Sequence, residues 1–137
     1  KPLLVNGDIL TPHDAAMAIE QSGADGIMIG RGLVGAPWLL GEFQTAMGEA
    51  SGASLNLLEQ GDIVKRHYHY ALDFHGVRLA VRMMRKHLAA YIDRAEIAMS
   101  ESSRIKARRI ACTLTDPEAV LKHLDAFYKG EFAERAA

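Results

Sequence analysis

Over the first fifty residues, short apolar runs alternate with amphipathic stretches. Pro2-Leu3-Leu4-Val5 is an unbroken apolar run that stops at Asn6-Gly7, the pattern of a buried parallel strand ended by a turn. Thr11-Pro12-His13-Asp14 opens a helix, with Thr11 as N-cap, Pro12 in the first helical position and Asp14 near the positive end of the helix dipole. That helix carries Ala15, Ala16, Met17 and Ile19 and stops near Ser22-Gly23. Residues 26–29 form a second strand, residues 30–37 a loop or short helix, and residues 38–47 another helix. Strand, helix, strand, helix with short connections is the βαβ pattern, and its crossover is right-handed.

The period then changes. Residues 48–54, with their Gly and Ser content, read as a linker and a domain boundary. Beyond them there are only helical stripes. Residues 57–74 place Val64, Tyr68, Ala71 and Leu72 on one stripe and end at Gly76. Residues 77–92 follow, with Val77, Val81, Met84, Leu88 and Tyr91 on the apolar side. A third helix runs over residues 102–112. A fourth begins at Thr115-Asp116-Pro117-Glu118 and carries Val120, Leu121, Leu124, Phe127 and Tyr128. A four-helix bundle is the simplest arrangement that buries all four stripes. The expected fold is therefore α/β over residues 1–50, as the last two βα units of a (β/α)8 (TIM) barrel, followed by an all-α helical bundle domain over residues 53–137.

A barrel of this type takes about 200 residues or more, so the chain reads as the C-terminal part of a longer polypeptide. Two strands alone leave open edges, which leads to the expectation of a homodimer driven by truncation. Nearly half the residues are apolar, yet no apolar run is long enough to span a bilayer, so a soluble chain without membrane contact is expected. The single cysteine, Cys112, excludes an internal disulfide and fits a reducing compartment. It reads as a small buried thiol.

The net charge of −1 hides an asymmetry. Residues 1–61 hold two basic and seven acidic side chains, whereas residues 62–113 hold eleven basic and five acidic. A positive middle segment suits a polyanion, and a solvated helical face gives the same count. Arg78, Arg82, Arg85 and Lys86 lie at i, i+4, i+7 and i+8, on one face of the second long helix and away from its apolar stripe. With His87 beside them, they are the candidate contacts to the phosphates of a nucleic acid. Arg104, Lys106, Arg108 and Arg109 are spread around the next helix, and their expected role is general attraction of a polyanion.

The chemistry-bearing motifs are glycine loops. Asn6-Gly7-Asp8 and Gly30-Arg31-Gly32 each follow a strand, in equivalent positions of adjacent βα units. Either alone reads as an ordinary turn. Together they form an anion site, because glycine lets backbone N–H groups approach a phosphate closely, and the Arg31 guanidinium adds a second contact. The candidate cofactor residues are Asn6, Gly7, Asp8, Gly30 and Arg31. His67 and His69 stand on different sides of a helix with no third ligand at suitable spacing, so no metal is expected. Trp38 after Pro37 reads as a packing residue, and no nucleophile–base pair or carboxylate pair is present to assign as catalytic.

Leu4-Val5-Asn6-Gly7-Asp8-Ile9, the run from Gly23-Ala24-Asp25-Gly26 to Ile29-Gly30-Arg31-Gly32, and Gly35-Ala36-Pro37-Trp38 resemble, in order, the C-terminal barrel segment of the bacterial tRNA-dihydrouridine synthases. The likeness is strongest to the branch that includes nitrogen-regulation-type members. Arg82-Met83-Met84-Arg85-Lys86-His87-Leu88 through Tyr91 is similar to that family's Arg-Lys-His helix. The resemblance implies a cytoplasmic flavoprotein oxidoreductase that binds FMN, with the FMN phosphate on the Asn6-Gly7 and Gly30-Arg31 loops. It also implies NADPH-dependent reduction of uridine to 5,6-dihydrouridine in tRNA, and a helical domain that helps hold the tRNA. The family's catalytic cysteine and flavin-contacting lysine belong to earlier barrel loops, so no catalytic residue is assigned and the chain alone is expected to be inactive. Two rival readings stand beside it: another FMN barrel oxidoreductase acting on a small molecule, and a non-enzymatic RNA-binding or regulatory helical module.

Overall fold

The structure is a computed structural model that describes residues 1–48 and 54–132. It divides into two compact units, Lys1–Ser54 and Leu55–Ala137. Most of the expected linker, residues 49–53, lies outside the described residues.

In the first unit, strand β1 (Leu4–Asn6) is followed by α1 (Pro12–Ser22), β2 (Gly26–Met28), a short 3-10 turn (Arg31–Leu33) and α2 (Leu39–Ala46). The strands pair in parallel, with Leu4 opposite Gly26, Val5 opposite Ile27 and Asn6 opposite Met28. Local chemistry starts α1. The Thr11 hydroxyl accepts the Asp14 N–H at 3.2 Å, and the Asp14 carboxylate accepts the N–H groups of Thr11 at 2.8 Å and Leu10 at 3.1 Å. The Thr11 side chain first, then the N–H groups of Leu10 and Thr11, hold the Asp14 carboxyl below its ordinary range. Gly23 ends the helix in the left-handed conformation, at φ 64°. A small core forms around Ile9, Ala15 and Phe43, with Ile27, Ile29, Leu33 and Leu39 packed against it.

The second unit holds four helices: α3 (Leu57–His75), α4 (Val77–Arg94), α5 (Glu101–Thr113) and α6 (Pro117–Tyr128). Asn56 and Glu59 cap α3 reciprocally, and Asp116 caps α6 just ahead of Pro117. Helix α3 packs against α4 and α6, and α5 packs against the same two. The stripes expected from periodicity face inward: Val64, Tyr68, Met84, Leu88, Tyr91, Val120, Leu124, Phe127 and Tyr128 are all buried. Ala71, Leu72 and Leu121 of the same stripes are half-buried, and Val77 is exposed. Val77 is the first residue of α4, at the Gly76 turn, and stands 55% exposed. Gly61 sets the approach of α3 to α6, since a Cβ there would fall 2.7 Å from the Tyr128 Cβ.

Candidate functional site

Parallel pairing brings the C-terminal ends of β1 and β2 to one edge, so the loops that follow them are neighbours. In the first loop the backbone turns sharply. Gly7 has φ 144°, and Asp8, at φ 41°, is the one described non-glycine residue with positive φ. In the second loop Gly30 precedes the 3-10 turn that starts at Arg31. Asn6, Gly7, Asp8, Gly30 and Arg31 line a single cleft of about 650 Å³, together with Ile9, Leu10 and Gly32. All five residues chosen from the sequence as cofactor contacts thus come together.

The glycines of this cleft divide the work. A Cβ on Gly7 or Gly30 would meet nothing within 4 Å, so the backbone there faces open space. Gly32 is the opposite case, because its Cβ would lie 2.4 Å from the Ile9 carbonyl oxygen. Only glycine lets the second loop settle onto the first. The sequence shows Gly32 as part of a motif, but its contact with Ile9 links residues far apart in the chain and leaves no local signal.

The Arg31 guanidinium reaches the Asp8 carboxylate at 2.8 Å, and both side chains are more than four-fifths exposed. Such a pair contributes about 0–1 kcal/mol and yields to a competing anion. The donor set fits a phosphate through open glycine backbone and one guanidinium, whereas the Asp8 carboxylate opposes it.

On α4, the side chains of Arg78, Arg82, Arg85 and Lys86 are all exposed, and none has an ion-pair partner among the described residues. The cations of α5 differ. Arg104 is half-buried, and its guanidinium donates to the carbonyls of Ile92, Ala95 and Ile97 where α4 ends. Arg108 pairs with Asp93 at 3.0 Å. Charge counting groups these two with a polyanion face, but the structure uses them to tie α5 to the end of α4.

His87 is half-buried rather than displayed with its basic neighbours, and its ring meets His67 edge-on at 5.3 Å. Burial first, then the charges of His67 and Lys86, hold its pKa below the ordinary histidine value. His67 shares a 2.9 Å hydrogen bond with the Tyr91 hydroxyl, and burial lowers its pKa too. Cys112 is half-buried, its thiol donates to the Arg85 carbonyl at 3.4 Å, and burial pushes its pKa up. Trp38 is half-buried at the start of α2. Among the described residues no three His, Cys, Asp or Glu side chains are grouped to hold a metal, and no helix is long and apolar enough to cross a membrane.

Comparison with known proteins places these features in a family. The family model for dihydrouridine synthases (Dus) matches residues 2–129. A probable tRNA-dihydrouridine synthase of Rhodobacter capsulatus is 37% identical over 137 residues, covering 99% of this chain and 39% of that protein. One of Rickettsia conorii is 36% identical over 129 residues, covering 93% of this chain and 37% of that protein. The tRNA-dihydrouridine synthase B of Shewanella oneidensis is 32% identical over 96 residues, covering 69% and 30%. The chain thus spans about two-fifths or less of the length of these relatives. With the family model running from β1 through α6, this chain belongs to the dihydrouridine synthase family.

Proposed function

We propose that this chain forms the phosphate-binding end and the RNA-holding helical part of an FMN-dependent tRNA-dihydrouridine synthase. One observation carries the reading: in a member of this family, two glycine loops at the same edge of a parallel strand pair share one cleft with an exposed arginine. When bound, FMN supplies the hydride chemistry that reduces the C5=C6 bond of uridine, with NADPH as the reductant of the whole enzyme.

The residues of this chain bind and position. Gly7 and Gly30 keep the loop backbone open for a phosphate, and Arg31 leaves Asp8 to neutralise it. Asn6 stands at the β1 end of the same cleft. The unpaired cations Arg78, Arg82, Arg85 and Lys86 meet tRNA phosphates, which releases counterions and makes affinity fall with salt. A uridine has to leave its stack to be reduced, so a firm grip on the surrounding backbone is part of the work. No residue here is given the role of catalytic acid. The remaining barrel strands continue the sheet from β1 and β2, and a second copy of the chain is the substitute partner for those edges.

The test is tRNA binding across a salt series, beside the Arg82→Ala/Arg85→Ala/Lys86→Ala variant. Salt-sensitive binding that the variant loses is the expected result. Absence of tRNA binding at low salt overturns the RNA reading and brings forward a small-molecule flavin barrel. RNA binding without any FMN-dependent change in flavin fluorescence favours the non-enzymatic module.

A further inference from the structure

Helices α3 and α4 leave a groove of about 600 Å³ between them, within the range of ligand pockets. Its α3 wall carries Tyr70 and Phe74, one helical turn apart, and these aromatic rings are 66% and 84% exposed. Its α4 wall carries Met83, 41% exposed. His67, His75 and His87 line the same groove, with the His75 ring edge-on to Phe74 at 4.8 Å. Single exposed apolar residues are ordinary on a protein surface, but two aromatic faces beside a concave, histidine-bearing groove are not.

We propose that this groove takes one unstacked tRNA base, stacked on Phe74 and Tyr70, with its polar edge on the imidazoles of His67 and His87. The proposal rests on the reading of α4 as an RNA-facing helix and goes beyond it, from phosphates to a base. Three observations support it. Arg82 and Lys86 are the immediate chain neighbours of Met83 and His87, exposed and without ion-pair partners among the described residues. A groove with an aromatic wall and a cationic rim is the arrangement that holds single-stranded nucleic acid. The polar lining is also suited to a neutral base rather than a phosphate.

The second point is the state of the histidines. Neither the His67 Nε2 nor either nitrogen of His87 has a hydrogen bond among the described residues. Burial favours the neutral ring at both positions, and a neutral imidazole offers one donor and one acceptor. The bond from His67 to buried Tyr91 fixes that ring in place. The third point is Asp73, the one acidic residue lining the groove. Its carboxylate repels a phosphate but accepts from an exocyclic amino group. A protein segment of apolar character makes no hydrogen bond to these polar side chains, His67, Asp73, His75 and His87.

The experiment measures binding of the whole chain to a tRNA transcript by fluorescence anisotropy over a salt series. Phe74→Ala, Phe74→Leu, Phe74→Trp and the Arg82→Ala/Lys86→Ala pair are compared with the parent, and far-ultraviolet circular dichroism confirms that each is folded. Phe74→Ala and Phe74→Leu are expected to weaken binding by about tenfold with an unchanged salt slope, and Phe74→Trp to restore it. Arg82→Ala/Lys86→Ala is expected to flatten the salt slope instead. If the Phe74 variants bind like the parent while the arginine–lysine variant loses binding, the base site is wrong and the RNA face stands. If Phe74→Leu binds like the parent and only Phe74→Ala weakens, the groove holds an apolar partner rather than a stacked base, which also overturns the proposal. If the parent itself does not bind tRNA at low salt, the RNA face and the base site fall together.

Discussion

In the second unit Val64, Tyr68, Leu124 and Phe127 have no exposed surface, whereas in the first unit the strand residues Leu4 and Met28 are 60% and 54% exposed. The difference comes from how each element satisfies its backbone. A helix makes its own hydrogen bonds, so four amphipathic helices can close a core using only each other. A parallel strand needs neighbours along its edges and cover on both faces. Unit 1 has two short strands and one small core around Ile9, Ala15 and Phe43, so its apolar strand residues are left facing outward. The helical unit therefore closes a core of its own, whereas the strand unit leaves its strands uncovered beside glycine loops that are already shaped.

That comparison can be broken most directly by mutation of the helical core. Phe127 is fully buried, with Tyr128 at 5.2 Å and Phe132 at 6.3 Å between ring centroids. Phe127→Ala is expected to cost about 3–5 kcal/mol in urea unfolding followed by helical circular dichroism. Trp38, the single tryptophan, sits in unit 1, and its fluorescence transition should stay where it is. If both signals shift together, the two units unfold as one and the contrast is false.

The converse substitution is Gly32→Ala. Its Cβ collides with backbone rather than with a side chain that could swing away, so the loops must part. A loss of about 1–3 kcal/mol is expected in the Trp38 transition alone, along with loss of phosphate binding in the cleft. An unshifted Trp38 transition would show that the two loops are not seated on one another.

Acid sharpens the comparison further. Burial lowers the pKa of His123, whose Nε2 lies 2.8 Å from the Ala107 carbonyl, and likewise of His67 and His87, all in unit 2. Their folded values lie below the unfolded value of about 6.5. Their neutral forms are thus favoured by folding, so stability is full above that value and declines as pH falls below it. In unit 1 the Asp14 carboxyl is also depressed, but it starts from the carboxylate range, so its cap is lost only at more acidic pH. Melting curves between pH 7 and 5 should therefore show unit 2 weakening first, and His123→Gln should flatten part of that dependence. A Trp38 transition that declines first would reverse the assignment.

The smallest expected effect is on the exposed Asp8–Arg31 pair. Asp8→Asn should change stability by less than about 0.5 kcal/mol. It should nevertheless raise the affinity for inorganic phosphate, because the opposing charge is gone and Arg31 is released. A thermal-shift titration with phosphate checks it, and unchanged or weaker binding would remove Arg31 from the site.

Much of the fold was legible because it is written locally. Thr11-Pro12 and Asp116-Pro117 mark their helix starts by chemistry contained within one turn, and the stripe through Val81, Met84, Leu88 and Tyr91 faces the core as its period requires. The third helix of the second unit starts at Glu101 behind its Ser100 cap, one residue earlier than its pattern suggested. The two glycine motifs were equally readable, since each lies at the C-terminal end of its strand, Asn6 closing β1 and Gly30 coming two residues after β2.

By itself, then, the sequence determined which segments are helices and strands, which face of each helix is apolar, and which loops carry glycine and charge. These are properties of residues within a few positions of one another. Tertiary structure alone decided that Gly32 must clear the Ile9 carbonyl and Gly61 the Tyr128 side chain. It alone committed Arg104 to the end of α4 and gathered His67, His87 and Tyr91 into one cluster. Periodicity names the face that is buried, but not the distant residue it will meet, and a cation's role depends on whether a carbonyl or a carboxylate is waiting there.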